Sequence, residues 1–135
     1  MIRAKKSLGQ NFLIDREVLE KITNVVQIKD KTILEVGPGT GNLTSFILKK
    51  NPKKMFVIEK DDDLAINLNE TFKDQLTIIN DDILQVDENL IFKNKVTVFG
   101  NLPYNISTEI LSKWITQTKD EFWFNNLILM FQKEV

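Results

Sequence analysis

Thr32-Ile33-Leu34-Glu35-Val36-Gly37-Pro38-Gly39-Thr40-Gly41-Asn42-Leu43-Thr44 is the stretch that decides the fold. A short apolar run of β type ends on closely spaced glycines, after which Leu43, Phe46 and Ile47 resume at helical spacing. The unit reads strand, glycine loop, helix. A loop of this kind turns backbone N–H groups and the positive end of a helix toward a ligand.

Outward from this unit the same alternation repeats. Upstream, residues 15–26 place Val18, Leu19, Ile22, Val25 and Val26 on one helical stripe with Asp15 as N-cap. Downstream, residues 55–58 read as a strand, 61–71 as a helix with Leu64, Ala65 and Leu68 inward, and 76–79 as a strand. A connecting stretch follows, then a strand over 96–99, a helix over 107–115 carrying Ile110, Leu111, Trp114 and Ile115, and a fifth strand over 127–131. Apolar strands alternating with helices imply a parallel sheet covered on both faces, so the expected fold class is α/β, doubly wound and mostly parallel. No repeat or linker divides residues 1–135, and a single domain is expected. The chain stops directly after an apolar strand with no covering helix, which predicts a bare hydrophobic edge and a piece of a longer protein.

Composition narrows the chemistry. With 42% hydrophobic and 27% charged residues the chain has globular statistics, and its apolar runs are far too short to span a membrane. The expected location is cytoplasmic. Having neither cysteine nor histidine, it excludes a thiol nucleophile, a histidine base and a Cys/His metal site. A net charge of -1 argues against a surface that is basic all over, so contact with nucleic acid must come from a local patch, for which Arg3, Lys5 and Lys6 are the candidates.

The glycines Gly37, Gly39 and Gly41 do not fit the dinucleotide spacing G-x-G-x-x-G, whose sixth position is Asn42 here. Glu35, two residues before Gly37, would repel a pyrophosphate and favour an ammonium or sulfonium group. S-adenosylmethionine carries both cations and no phosphate. Glu59, closing Val57-Ile58-Glu59, is placed to accept hydrogen bonds from ribose hydroxyls. After the third strand, Asp82 is placed to accept from an adenine amine; Asp81 is its rival, and spacing does not choose between them. An acid at a strand end is also commonly a cap or turn residue.

Phe99-Gly100-Asn101-Leu102-Pro103-Tyr104 lies at the end of the fourth strand, where ligands sit in open parallel sheets. The lone pair of an adenine amine is delocalised into the ring. An enzyme that methylates it must hold both amine hydrogens and turn the lone pair toward the methyl group. The Asn101 side-chain oxygen and the Leu102 backbone carbonyl are the expected acceptors, with Pro103 stiffening the backbone and Tyr104 stacking on the base. The competing reading makes Asn101 to Ser107 a turn followed by an N-cap.

These residues, together with Leu8-Gly9-Gln10-Asn11-Phe12-Leu13, Asp82-Ile83-Leu84, Asn105-Ile106-Ser107 and Gln132-Lys133-Glu134-Val135, give a chain that resembles the ribosomal RNA adenine dimethyltransferases, in their bacterial small-subunit branch. The resemblance implies a class I S-adenosylmethionine-dependent methyltransferase fold, truncated here after its fifth strand. It also implies that Asn11, Leu13, Gly37, Glu59, Asp82 and Asn101 contact the cofactor, which favours Asp82 over Asp81. The implied substrate is a pair of adjacent adenosines in the 3'-terminal hairpin of 16S rRNA in the immature small subunit, each dimethylated by a full-length enzyme that is monomeric and needs no metal. Three other readings stand beside it: a large-subunit resistance methyltransferase, a non-catalytic ribosome-assembly factor, and a nicotinamide oxidoreductase. The family's remaining strands and C-terminal helical domain are absent from these 135 residues.

Overall fold

The computed structural model describes residues 15–117 and 122–132. Its elements run in strict alternation: α1 (Arg16–Thr23), β1 (Thr32–Val36), α2 (Asn42–Leu48), β2 (Lys54–Ile58), α3 (Asp62–Phe72), β3 (Thr77–Ile79), α4 (Glu88–Ile91), β4 (Val96–Pro103), α5 (Tyr104–Gln117) and β5 (Phe124–Gln132). The strands form one sheet in the order β3-β2-β1-β4-β5, and every neighbouring pair is parallel. β1 lies at the centre, with β2 on one side and β4 on the other. Strand order reverses there, which makes the carboxyl ends of β1 and β4 the natural ligand rim.

Alternation along each strand divides the core. Leu34, Val36, Ile58, Val98, Ile110 and Trp114 pack on the face covered by α4 and α5. Ile33, Val57, Leu43, Leu68, Phe72 and Leu19 pack on the other, under α1, α2 and α3. Both faces are dry, which is why the strands read as continuous apolar runs. Among the described residues no helix is long and apolar enough to cross a membrane.

Several sequence expectations need correction. α1 ends at Thr23, so Val25 lies past the helix and is 66% exposed, while Val18 is 44% exposed. Leu19, Ile22 and Val26 pack on the core as expected, joined one turn after Leu19 by Thr23, whose hydroxyl donates back to the Leu19 carbonyl at 2.9 Å. In α5 the inward pair is Ile110 and Trp114, again four residues apart, which turns Ile115 out to 63% exposure. The connecting stretch before β4 contains a helical turn, α4, capped by Asp87.

The largest difference lies at Asn101-Leu102-Pro103. There is no turn before the helix: β4 continues through Pro103, supported by β5 in the register Asn101↔Met130, Leu102↔Phe131 and Pro103↔Gln132, and α5 begins at Tyr104. Ser107 is therefore inside the first turn of α5 and not an N-cap. Its hydroxyl lies 3.5 Å from the Leu102 carbonyl, to which it donates.

β5 pairs with β4 on one side only among the described residues, and its Leu127, Ile128, Leu129 and Met130 are part-buried. An apolar edge with unpaired N–H and C=O groups templates further pairing. The 135-residue chain is expected to self-associate in sedimentation as concentration rises, and a Leu129→Lys change should reduce that association. A monomer at all concentrations would contradict this reading of the edge.

Candidate cofactor site

Positive φ angles shape the loop after β1: Gly37 at 68°, Gly39 at 61° and Gly41 at 93°. Two of these glycines are also closely packed. A Cβ on Gly41 would come within 2.7 Å of the Phe72 ring, so the loop lies directly on α3. A Cβ on Gly37 would come within 2.5 Å of Leu102 Cδ2 and 3.8 Å of the Asn101 carbonyl oxygen. The glycine loop and the Asn-Leu-Pro segment are thus in direct contact, two motifs separated by more than sixty residues in the chain.

Glu59 ties the rim together. Its Oε1 accepts from the Gly39 N–H at 3.1 Å and its Oε2 from the Asp61 N–H at 3.0 Å, while the Glu59 backbone carbonyl accepts from the Asn80 side chain at 2.9 Å. One residue therefore joins the ends of β1, β2 and β3. Asp61 in turn caps α3, accepting from the Leu64 N–H at 3.0 Å. A carboxylate has about four acceptor positions. The two backbone bonds leave Glu59 with acceptor capacity for a pair of hydroxyls.

Asp82 caps the turn that follows β3, accepting from the Leu84 N–H at 3.0 Å, and pairs with Lys60 at 3.3 Å. Asp81 is exposed and accepts from the Asp82 N–H at 2.7 Å. Both acids act as turn residues, and Asp82 is the less exposed of the two. Asn101 is half-buried beside the glycine loop, and Leu102 is buried. Asn11, Leu13, Arg3, Lys5 and Lys6 lie outside the described residues, as does the side chain of Tyr104.

Glu35 sits deeper than its position in the motif suggests. It is 1% exposed, and its Oε1 accepts from the Thr44 hydroxyl at 2.5 Å, which bolts β1 to α2 beneath the loop. Burial pushes its carboxyl up to about 8, the Thr44 hydrogen bond opposes the rise, and the nearby Glu59 charge adds to it. Burial also raises the Glu59 carboxyl, against the bonds from the Asp61 and Gly39 amides. Near neutral pH the free chain therefore carries Glu35 mainly as the neutral acid. A cation bound close above it would favour the ionised form.

A further group had no sequence signal. Lys113 of α5, its side chain 10% exposed, donates to the Ile83 carbonyl at 2.6 Å, the Val86 carbonyl at 2.5 Å and both Glu88 carboxylate oxygens at 3.1 Å. Trp114 Nε1 donates to the same carboxylate at 2.7 Å. This buried cluster clamps the segment after Asp82 to the helix that follows Asn-Leu-Pro. In sequence, Glu88 and Lys113 look like ordinary solvated charges.

The donor set suits S-adenosylmethionine better than a dinucleotide. Acceptors predominate, and the one rim lysine among the described residues, Lys60, already faces Asp82. No cationic cradle for a pyrophosphate exists among the described rim residues.

Glu35 gives a pH prediction. Its folded-state value lies above the ordinary 4.5, so its contribution to stability is complete below about pH 4.5 and is lost as pH rises to about 8. Urea unfolding should show wild type losing on the order of a few kcal/mol more than Glu35→Gln between about pH 5 and about pH 8. Identical pH dependence would show that Glu35 is not held neutral.

With the geometry in place, comparison with known proteins is specific. A family model described as Ribosomal RNA adenine dimethylase matches residues 1–135. A Ribosomal RNA small subunit methyltransferase A from Pelagibacter ubique (strain HTCC1062) is 66% identical over 134 residues, covering 99% of this chain and 51% of the relative. The protein of the same name from Wolbachia pipientis subsp. Culex pipiens (strain wPip) is 43% identical, covering 100% of this chain and 52% of its own. The chain spans about half the length of the curated relatives it matches. Among solved structures, a dimethyladenosine transferase from Plasmodium falciparum superposes with a TM-score of 0.74 at 28% identity, over 91% of this chain and 44% of its own. The 23S rRNA methyltransferase ErmE shares the fold, with a TM-score of 0.76 at 23% identity over 90% of this chain and 48% of its own. On the match across its whole length, the chain belongs to the ribosomal RNA adenine dimethylase family.

Proposed function

We propose that residues 1–135 are the S-adenosylmethionine-binding part of a methyltransferase domain, incomplete without further strands and a helical domain. The enzyme it serves methylates N6 of two adjacent adenosines in the 3'-terminal hairpin of 16S rRNA, in the immature small subunit and in the cytoplasm. The observation that carries this reading is the packing of Gly37 against Asn101 and Leu102, which sets a cofactor loop directly beside a pair of amine acceptors.

S-adenosylmethionine, when bound, supplies an electrophilic methyl group on a sulfonium. The chain's own residues do the rest. Backbone groups of Gly37 and Gly39 line its approach, Glu59 takes the ribose hydroxyls and Asp82 the adenine amine, while Asn11 and Leu13 complete the pocket. Glu35 would contribute negative charge beneath it, because a bound cation favours loss of its proton to solvent. On the substrate side, the Asn101 side-chain oxygen and the Leu102 carbonyl each hold one hydrogen of the target amine, leaving the nitrogen lone pair free to point at the methyl donor. The Ser107 hydroxyl already donates to that carbonyl and helps fix its direction. Pro103 limits backbone motion, Tyr104 stacks on the flipped base, and Arg3, Lys5 and Lys6 meet RNA phosphates. Rate enhancement comes from alignment and preorganised dipoles, so the absence of histidine is no obstacle.

Two experiments test this. Calorimetry with S-adenosylmethionine should show Glu59→Ala weakening binding by about 1.5 to 3 kcal/mol, with thermal unfolding followed in parallel because Gly39 and Asp61 lose their acceptor too. Unchanged affinity would remove Glu59 from the site. In the full-length enzyme acting on immature small subunits, Asn101→Ala at saturating cofactor should lower turnover by roughly 100-fold to 1000-fold. Wild-type turnover under those conditions would show that Asn101 does not orient the amine.

A further inference from the structure

The charges of this chain nearly cancel in sum but not in space. At the carboxyl ends of the strands lie Glu59, Asp61, Asp62, Asp63, Asp81 and Asp82, with Lys60 as the one cation among them. The opposite pole is built from the loops that enter the strands. Because β2, β1 and β4 are adjacent in a parallel sheet, their three entry loops form one contiguous surface, about 10 Å across at ordinary strand spacing.

That surface is basic. The loop into β1 carries Lys29 and Lys31, with Asp30 between them. Lys49, Lys50, Lys53 and Lys54 come from the segment entering β2, and the loop into β4 brings Lys93 and Lys95. The three loops thus hold eight lysines and one acid, and all of the lysines but Lys50 are exposed. The first two loops are stitched together, the Asp30 N–H donating to the Asn51 carbonyl at 3.1 Å and the Lys53 N–H to the Lys31 carbonyl at 2.9 Å. Of these eight lysines only Lys50 has a carboxylate partner among the described residues, Glu20 at 3.9 Å. On the edge strand β3, Lys73 and Asp74 offset each other and add nothing.

Between the loops opens a cavity of about 310 Å3, lined half by the apolar Phe56, Ile91, Phe92 and Val96 and half by Thr32, Lys54, Lys93 and Asn94. Lys54 Nζ lies 5.8 Å from the centre of the Phe56 ring. Lys54 and Lys93 bring two ammonium groups to one recess, which suits a phosphate. Concentrating like charges on one pole of a nearly neutral domain costs electrostatic self-repulsion, which a polyanion relieves by exchanging condensed counterions for lysines.

We infer that the pole formed by the entry loops of β1, β2 and β4 is a second RNA-binding surface, taking the phosphate backbone of a structured RNA at the end of the sheet opposite the cofactor rim. The inference rests on the ribosomal RNA reading above. It adds to that reading a contact with RNA away from the methylated adenosines, which anchors a large substrate while the rim handles the target base. An anionic membrane is the rival polyanion, and the vesicle arm of the test separates the two.

The test is the salt dependence of affinity for a 20-base-pair RNA duplex of mixed sequence that has no unpaired adenosine. One lysine from each loop is changed, giving Lys31→Gln/Lys53→Gln/Lys93→Gln and the matching Lys→Arg set. The Gln set should flatten the slope of log affinity against log salt by about two to three, and the Arg set should keep the wild-type slope. An unchanged slope in the Gln set, or a slope lost equally in the Arg set, would overturn the inference. So would a Gln set that keeps its RNA slope and loses binding to phosphatidylserine vesicles. Calorimetry with S-adenosylmethionine on the same proteins reports on the cofactor reading alone, so the failure of one is distinguishable from the failure of the other.

Discussion

The rim of this domain depends on one carboxylate. Glu59 stands at the end of β2 and takes an N–H from the glycine loop after β1 and another from the start of α3. Burying a carboxylate is costly unless backbone donors surround it, and those donors come from two separate chain segments. The cost is met only when the loop and the helix are both in place, so Glu59 selects a single arrangement of the strand ends. The packing of Gly37 on Leu102 and of Gly41 on Phe72 follows from that arrangement.

Beneath this rim two buried polar clusters stabilise the two faces of the sheet. On one, Glu35 and Thr44 join β1 to α2. On the other, Glu88, Lys113 and Trp114 join α4 to α5, and Lys113 also holds the carbonyls of Ile83 and Val86. Removing Glu88 or Lys113 from the second cluster leaves a buried charge uncompensated, which is typically far more costly than exchanging both for apolar residues. Position, more than strength, is what these clusters supply. They couple the turn bearing Asp82 and the helix after Asn101 to a common core, so that the acids and the amide at the rim keep fixed relative places.

Much of this was legible in the residues. The run from Thr32 to Thr44 declared a strand, a loop and a helix, and the uniformly apolar strands declared a parallel sheet buried on both sides. The acids after β2 and β3 fell on the rim as their positions required. What escaped was decided by tertiary contact. β4 extends through Asn101, Leu102 and Pro103 because β5 is there to pair with it, whereas Asn and Pro by themselves favour a turn. On α1, Leu19, Ile22 and Val26 pack on the core as their spacing requires, but Val18 and Val25 do not, and Thr23, a polar residue, takes a core position by returning its hydroxyl to Leu19. Glu88 and Lys113 are twenty-five residues apart, and nothing local marks either as buried. The basic pole was hidden for a related reason, since its lysines are scattered along the chain and only the strand order gathers them.

The central claim is that the rim is preformed, with Glu59 holding the glycine loop beside Asn101 before any ligand arrives. A crystal structure of the chain with S-adenosylhomocysteine tests it most directly. The account predicts ribose hydroxyls within hydrogen-bond reach of Glu59, the Gly39 N–H still on Oε1, and the sulfur facing Asn101 across the glycine loop. Adenosine bound elsewhere, or a glycine loop that has left Glu59 to admit the ligand, would contradict it.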